Sequence, residues 1–113
     1  MHELAITSAL IDVIREEVER DGGGRVVGVA LSLGGLQSLE PHSLALCFET
    51  MVEGTFMEGA VLTVERLPIR VHCRACGRDV ISDERFRCGS CDGRDVVVLP
   101  TEPMRVESIT VRR

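Results

Sequence analysis

Lysine is missing from this 113-residue chain: all 13 of its basic residues are arginines. That absence excludes a P-loop lysine, a Schiff-base lysine and a serine–lysine dyad. A Walker-type nucleotide hydrolase is therefore ruled out, and any nucleotide energy used must come from a partner. Tryptophan and tyrosine are also absent, and only three phenylalanines occur. So few aromatics cannot build the stacking platforms that hold single-stranded nucleic acid. Positive charge is in deficit, the formal net charge being −5, which opposes a protein made to coat nucleic acid. No apolar run approaches the roughly 20 residues of a membrane span, and nothing at the start reads as a signal peptide. The expectation is a soluble, cytoplasmic protein with no nucleic-acid or membrane partner. Its compartment should be reducing, so that disulfides do not persist.

What the chain does have is cysteine in a pattern. Cys73-Arg74-Ala75-Cys76 and Cys88-Gly89-Ser90-Cys91 are two Cys-x-x-Cys knuckles separated by eleven residues. A two-residue gap in a turn brings both sulfurs of a knuckle onto one ion. The intervening segment loops out and returns, so four thiolates can surround one tetrahedral zinc. Val80-Ile81 and Phe86 read as short strand pieces with Ser82-Asp83-Glu84 as the turn between them, and Gly77 and Gly89 follow the knuckle positions where backbone amides turn toward sulfur. Disulfides, a redox dithiol and an iron site are the competing readings. The compartment opposes the first, and the lack of a βαβ pattern opposes the second. Four thiolates on Zn²⁺ would make the net charge more negative by about 2. From Arg70 to Asp95, six arginines face five acidic residues, so the ribbon itself is nearly neutral.

The rest of the chain is patterned for one small domain. Leu4 to Arg20 reads as an amphipathic helix with Leu4, Ile11, Ile14 and Val18 at helical spacing, stopped by Asp21-Gly22-Gly23-Gly24. Arg25 to Leu33 alternates as a strand with Val27, Val29, Leu31 and Leu33 on one face, ended by Gly34-Gly35. Leu39-Glu40-Pro41 opens a second helix with Pro41 at its first position. Its apolar stripe is Leu44, Phe48, Met51 and Val52, with Cys47 beside it as a small buried hydrophobe. Ala60 to Glu65 is a strand, Pro68 a break, Val96 to Leu99 a short strand and Met104 to Val111 the last one. The predicted fold class is α+β: a small three-stranded sheet covered by two helices, with an inserted four-Cys zinc ribbon. The domains are residues 1–69 plus 103–113, and the ribbon 70–102. A ribbon of about thirty residues has almost no core and needs metal to fold.

The opening Met1-His2-Glu3 has two readings. One is a histidine on a loose surface terminus. The other is a chelate: the α-amine, the His2 amide nitrogen and the His2 ring Nδ1 close fused five- and six-membered rings, and Glu3 completes a plane. Nitrogen and oxygen donors in a plane suit Ni²⁺ or Cu²⁺ rather than zinc. His42, in the first turn of the second helix, reads as solvent-facing. His72 abuts the first knuckle and reads as a neighbour of the site, because four thiolates already fill a tetrahedron.

Taken together the chain resembles the HypA/HybF family of nickel-insertion accessory proteins. The residues that carry the resemblance are Met1-His2-Glu3-Leu4, Leu31-Ser32-Leu33-Gly34-Gly35-Leu36, Ser38-Leu39-Glu40-Pro41, Leu44 with Phe48, Gly54-Thr55, Glu58-Gly59-Ala60, both knuckles and Ser108-Ile109. The resemblance implies a metallochaperone, not an enzyme. It implies Ni²⁺ as transported cargo at His2, with Met1 and Glu3 as co-ligands, and a structural Zn²⁺ on Cys73, Cys76, Cys88 and Cys91. The implied partners are a nickel-handling GTPase of the HypB type and the NiFe hydrogenase large subunit, with urease maturation proteins served by some members. Some members carry His after each Cys pair. Gly77 and Asp92 stand there in this chain, so no histidine exchange is carried over. The alternative function is a zinc-ribbon adaptor touching nucleic acid or a transcription or translation complex. Arg74, Arg78, Arg85, Arg87 and Arg94 would serve it, and the acidic balance opposes it.

Overall fold

A computed structural model describes residues 2–113, with His2 described by its backbone alone. The chain runs α1 (His2–Arg20), β1 (Arg25–Leu33), α2 (Pro41–Met51), β2 (Val61–Arg66), β3 (Arg70–Cys73), β4 (Asp79–Ile81), β5 (Val96–Val98) and β6 (Met104–Arg112). Two three-stranded sheets form, in the orders β2-β1-β6 and β4-β3-β5. The chain separates into two compact units. The first holds the residues up to Ser32, Ser38–Glu65 and Met104–Arg113; the second holds Leu33–Gln37 and Arg66–Pro103.

In the first unit the helices pack on one another and the core is aliphatic. α1 buries Leu10, Ile11, Ile14 and Val18, β1 buries Val26, Val29 and Leu31, and α2 and its exit bury Leu44, Phe48, Val52 and Met57. The α1 stripe differs at its start from the expected one. Leu4 is 56 % exposed and Thr7 is fully buried in its stead. Thr7 is tolerated there because its hydroxyl donates to the Glu3 carbonyl one turn back, at 2.5 Å. Met51, expected in the α2 stripe, is exposed, and Met57 beyond the helix is buried instead. The turns after α2 bring Met57 inward, and the Val26 N–H donates to the Phe56 carbonyl.

α2 starts where Pro41 predicts. Glu40 is the N-cap, its carboxylate accepting from the N–H groups of His42 (3.1 Å) and Ser43 (2.7 Å). Those bonds, Ser43's first, hold the Glu40 carboxyl below the usual carboxylate range. The cap therefore contributes fully above the ordinary carboxylate pKa and is lost as acid protonates it. Phe48 is the largest fully buried side chain. Phe48→Ala is expected to cost about 3–5 kcal/mol, read as a lower denaturant midpoint at unchanged slope.

β6 runs back along β1. A side chain at Gly24 would meet Val111 and Arg112, and at the other end the Gly34 N–H donates to the Pro103 carbonyl at 2.8 Å. The Ser32 hydroxyl, buried between them, donates to Glu107 Oε2 at 2.8 Å. At Leu33 the chain enters the second unit. A Cβ on Gly35 would lie 2.6 Å from Ile69 Cγ1 and 2.8 Å from the Leu67 carbonyl. That close approach, together with the Leu67 N–H donating to the Leu33 carbonyl, groups Leu33–Gln37 and Arg66–Ile69 with the second unit. The sequence division had put both segments in 1–69.

In the second unit β3 is central and antiparallel to both neighbours. Val71 pairs with Val80 on one side and Val98 on the other, and Cys73 with Val96. The predicted strand Val96–Leu99 is thus the third strand of the ribbon sheet. Phe86 departs from the expected strand piece and sits in a turn with φ 60. The reason is Asp83, whose carboxylate accepts from the N–H groups of Arg85 (2.8 Å) and Arg87 (2.9 Å) and curls the return before a strand can extend.

Candidate metal centre

The two knuckles are built alike. In the first, the Gly77 N–H donates to the Cys73 carbonyl (2.8 Å) and the Cys73 N–H to the Arg78 carbonyl (2.9 Å). In the second, fifteen residues on, the Asp92 N–H donates to the Cys88 carbonyl and the Cys88 N–H to the Gly93 carbonyl, both at 2.9 Å. The residue after each second cysteine turns left-handed: φ is 75 at Gly77 and 62 at Asp92. Glycine and aspartate are among the residues that take this conformation at low cost.

Amides that reach sulfur include those of Cys76, 3.5 Å from Cys73 Sγ, and of Ser90 and Cys91, both 3.3 Å from Cys88 Sγ. Gly77 and Gly89 follow such positions, and among the described residues their own amides do not reach sulfur. Gly89 is required for a different reason: a Cβ there would collide with the Ile81 carbonyl.

The four cysteines converge. Cys73 Sγ and Cys91 Sγ are 3.6 Å apart, Cys76 Sγ and Cys88 Sγ 3.8 Å apart, and all four sulfurs lie within 4.8 Å of one another. A tetrahedron with metal–sulfur bonds of about 2.3 Å has edges of about 3.8 Å. The spacing and the all-sulfur donor set therefore fit Zn²⁺, with every tetrahedral position taken by protein. Two donors, Cys73 and Cys88, are buried, Cys76 is half-buried and Cys91 is exposed. All five cysteines are free of disulfides.

The thiols are electrostatically unequal. The Cys91 N–H, and after it the Ser90 N–H, hold the Cys88 thiol down to about 6. At Cys91 the Gly93 N–H acts the same way, but the neighbouring Cys73 and Cys88 sulfurs outweigh it and push the thiol up to about 12. Gathering four anionic donors is thus unfavourable in part without a cation at the centre.

Two contributors went unseen in the sequence. Asp79 stands opposite His72 on β4 and its Oδ1 lies 2.7 Å from His72 Nδ1, so the histidine is tied to a carboxylate and stays out of the sulfur cluster. Gly93 leaves room for the cluster: a Cβ there would be 3.2 Å from Cys91 Sγ and 3.7 Å from Cys73 Sγ. Its place two residues past the last cysteine was the only available signal. Cys47 is half-buried on α2 and is no part of the cluster, and His42 is exposed.

Of the three residues named for nickel, Met1 lies outside the described residues. His2 opens α1, and Glu3 follows in its first turn, half-buried, with its carbonyl accepting from Thr7. Among the described residues no helix is long and apolar enough to cross a membrane.

Comparison with known proteins extends over the whole chain. Residues 1–111 match the family described as "Hydrogenase/urease nickel incorporation, metallochaperone, hypA". The chain is 33 % identical over 112 residues to hydrogenase maturation factor HypA of Geobacter metallireducens, covering 98 % of this chain and 99 % of that one. It has the same identity and coverage with hydrogenase maturation factor HypA 2 of Bradyrhizobium diazoefficiens. The fold is similar to the solution structure of the Ni metallochaperone HypA from Helicobacter pylori, with a TM-score of 0.66 at 19 % identity over 96 % of each chain. The chain belongs to the HypA family of hydrogenase/urease nickel-incorporation metallochaperones, which are maturation factors and not enzymes.

Proposed function

We propose that the protein accepts Ni²⁺ as cargo at its amino terminus and passes it to the large subunit of a NiFe hydrogenase with the help of a partner GTPase of the HypB type, in the cytoplasm. His2 supplies the ring nitrogen, Met1 the amine, and Glu3 an amide or carboxylate donor. Cys73, Cys76, Cys88 and Cys91 hold a structural Zn²⁺. On this reading residues 1–69 with 103–113 carry nickel and residues 70–102 carry zinc. The observation that carries the proposal is that the family match begins at residue 1 and takes in Met1-His2-Glu3 as well as both knuckles.

Helix chemistry supports the place of the cargo. The first N–H groups of an α-helix have no acceptor within the helix. With α1 beginning at His2, the nitrogens of His2 and Glu3 can turn to a metal without breaking a helical hydrogen bond. The Thr7 bond to the Glu3 carbonyl steadies the same turn. His2→Ala is expected to lose stoichiometric nickel while keeping zinc content and melting temperature. Nickel retained at parental affinity would overturn the proposal.

A further inference from the structure

We propose that the tip of the ribbon is a docking point for an acidic polypeptide segment that carries an apolar residue, seated between Arg85, Arg94 and the ring of Phe86. With Arg87 these residues line a recess of about 370 Å³ on the second unit. Arg87 is already committed. Its side chain is 19 % exposed, and its Nε and Nη1 each lie 3.7 Å from a carboxylate oxygen, of Asp83 and Asp92 respectively. Arg85 and Arg94 differ: both are exposed, and among the described residues neither has a carboxylate within ion-pair distance. Asp83 accepts from the Arg85 backbone N–H and feels the charge of its guanidinium without an ion pair between the two side chains.

Phe86 lines the same recess, 44 % exposed and with φ 60. A bulky side chain in the left-handed region is unfavourable, and an aromatic ring left in water contributes little to folding. Asp83 holds it there. Its carboxylate accepts from the amides on either side of Phe86, at 2.8 Å and 2.9 Å, and its carbonyl accepts from the Phe86 N–H at 3.2 Å. The turn is clamped so that an unfavourable residue is presented outward. Such over-determined conformations cluster where proteins bind.

Charge complementarity selects the partner. Each free guanidinium matches one carboxylate in a two-pronged contact, and the ring accepts an apolar side chain between them. Nucleic acid fits less well. Its affinity grows with the number of phosphates neutralised, and only two guanidinium groups, those of Arg85 and Arg94, are uncommitted at this recess. None of the residues that line the recess is a proposed nickel ligand, so the proposal does not rest on the cargo site.

The test uses zinc-loaded, 15N-labelled full-length protein, titrated with a synthetic hexapeptide of four glutamates around a Leu-Phe pair. A second titration uses single-stranded oligouridylate. The peptide is expected to shift the signals of residues 83–88 and 92–95, and Arg85→Glu combined with Arg94→Glu to weaken binding by about tenfold or more at unchanged zinc content. Phe86→Gly is expected to melt no lower than the parent, because glycine takes that φ freely, and yet to bind the peptide more weakly. Absence of localised shifts, or undiminished binding by the double variant, overturns the proposal. So does a lower melting temperature for Phe86→Gly, which would make the ring a part of the fold. Oligouridylate binding at the same residues, tighter than the peptide and steeply salt-dependent, would replace the peptide with nucleic acid and likewise overturn it.

Discussion

Removing the metal, or replacing Cys88 by alanine, is expected to unfold the ribbon from about Val71 to Leu99 while α1 and α2 persist. The second unit has little else to hold it. Its buried apolar side chains are Leu33 and Val71, and the remaining buried ones, Cys73 and Cys88, are themselves candidate ligands. Structural zinc contributes on the order of 10 kcal/mol to domains of this kind, more than two aliphatic side chains supply. Cys88 is the most telling position, because two amides converge on its sulfur and its backbone closes the second knuckle. The first unit has its own core of Leu10, Ile14, Val26, Leu44 and Phe48, so most of the helical circular dichroism should remain. Amide signals of residues 70–99 should collapse together as zinc leaves. A Cys88→Ala protein with parental zinc content and parental melting would show that the cluster is not the staple.

Acid should have the same effect as a chelator. Every ligand must be a thiolate, so protons compete with the metal. Before metal enters, the backbone amides hold the Cys88 thiol down to about 6, so this donor gives up its proton to an entering ion most readily, and acid must return protons to all four sulfurs to expel the metal. Zinc release on acidification should therefore precede any loss of the helices.

These elements differ in how visible they were in the sequence. The helices and β1 were legible because their boundaries are marked locally: Gly22-Gly23-Gly24 after α1, Glu40-Pro41 before α2. The cysteine quartet was legible because its donors are set by a two-residue gap that any knuckle must obey. Tertiary substitutions were hidden. Thr7 takes a core place that Leu4 seemed to own, since a threonine can satisfy its hydroxyl on the preceding turn. Met57 is buried by a run of turns that leaves no periodic signal. Phe86 looked like a strand residue because an aromatic across a turn from Val80-Ile81 has that propensity, and a single aspartate three residues earlier overrode it. Gly35 read as a strand end, and it serves also as the point where backbone passes within reach of Leu67 and Ile69.

Lengthening the amino terminus by three residues is expected to abolish tight nickel binding and its planar-site absorption, with zinc content and melting unchanged. The proposed chelate depends on register. The α-amine, the His2 amide nitrogen and the His2 ring close adjacent five- and six-membered rings only if the amine belongs to the residue directly before the histidine. An extension turns that amine into a peptide nitrogen and moves the free amine out of reach. One added residue would be a poor probe, because a histidine in third position with a free amine forms a planar chelate of its own. Three residues avoid it, and acetylation of the parental amine should give the same loss without any change of sequence. A planar low-spin Ni²⁺ also needs deprotonated amides, so affinity should fall steadily as pH is lowered, in a protein whose zinc and helices are still in place. If extended and acetylated proteins both bind nickel as the parent does, the amine is not a ligand, and the cargo site must be sought among the donors of Glu3 and the side chains around α1.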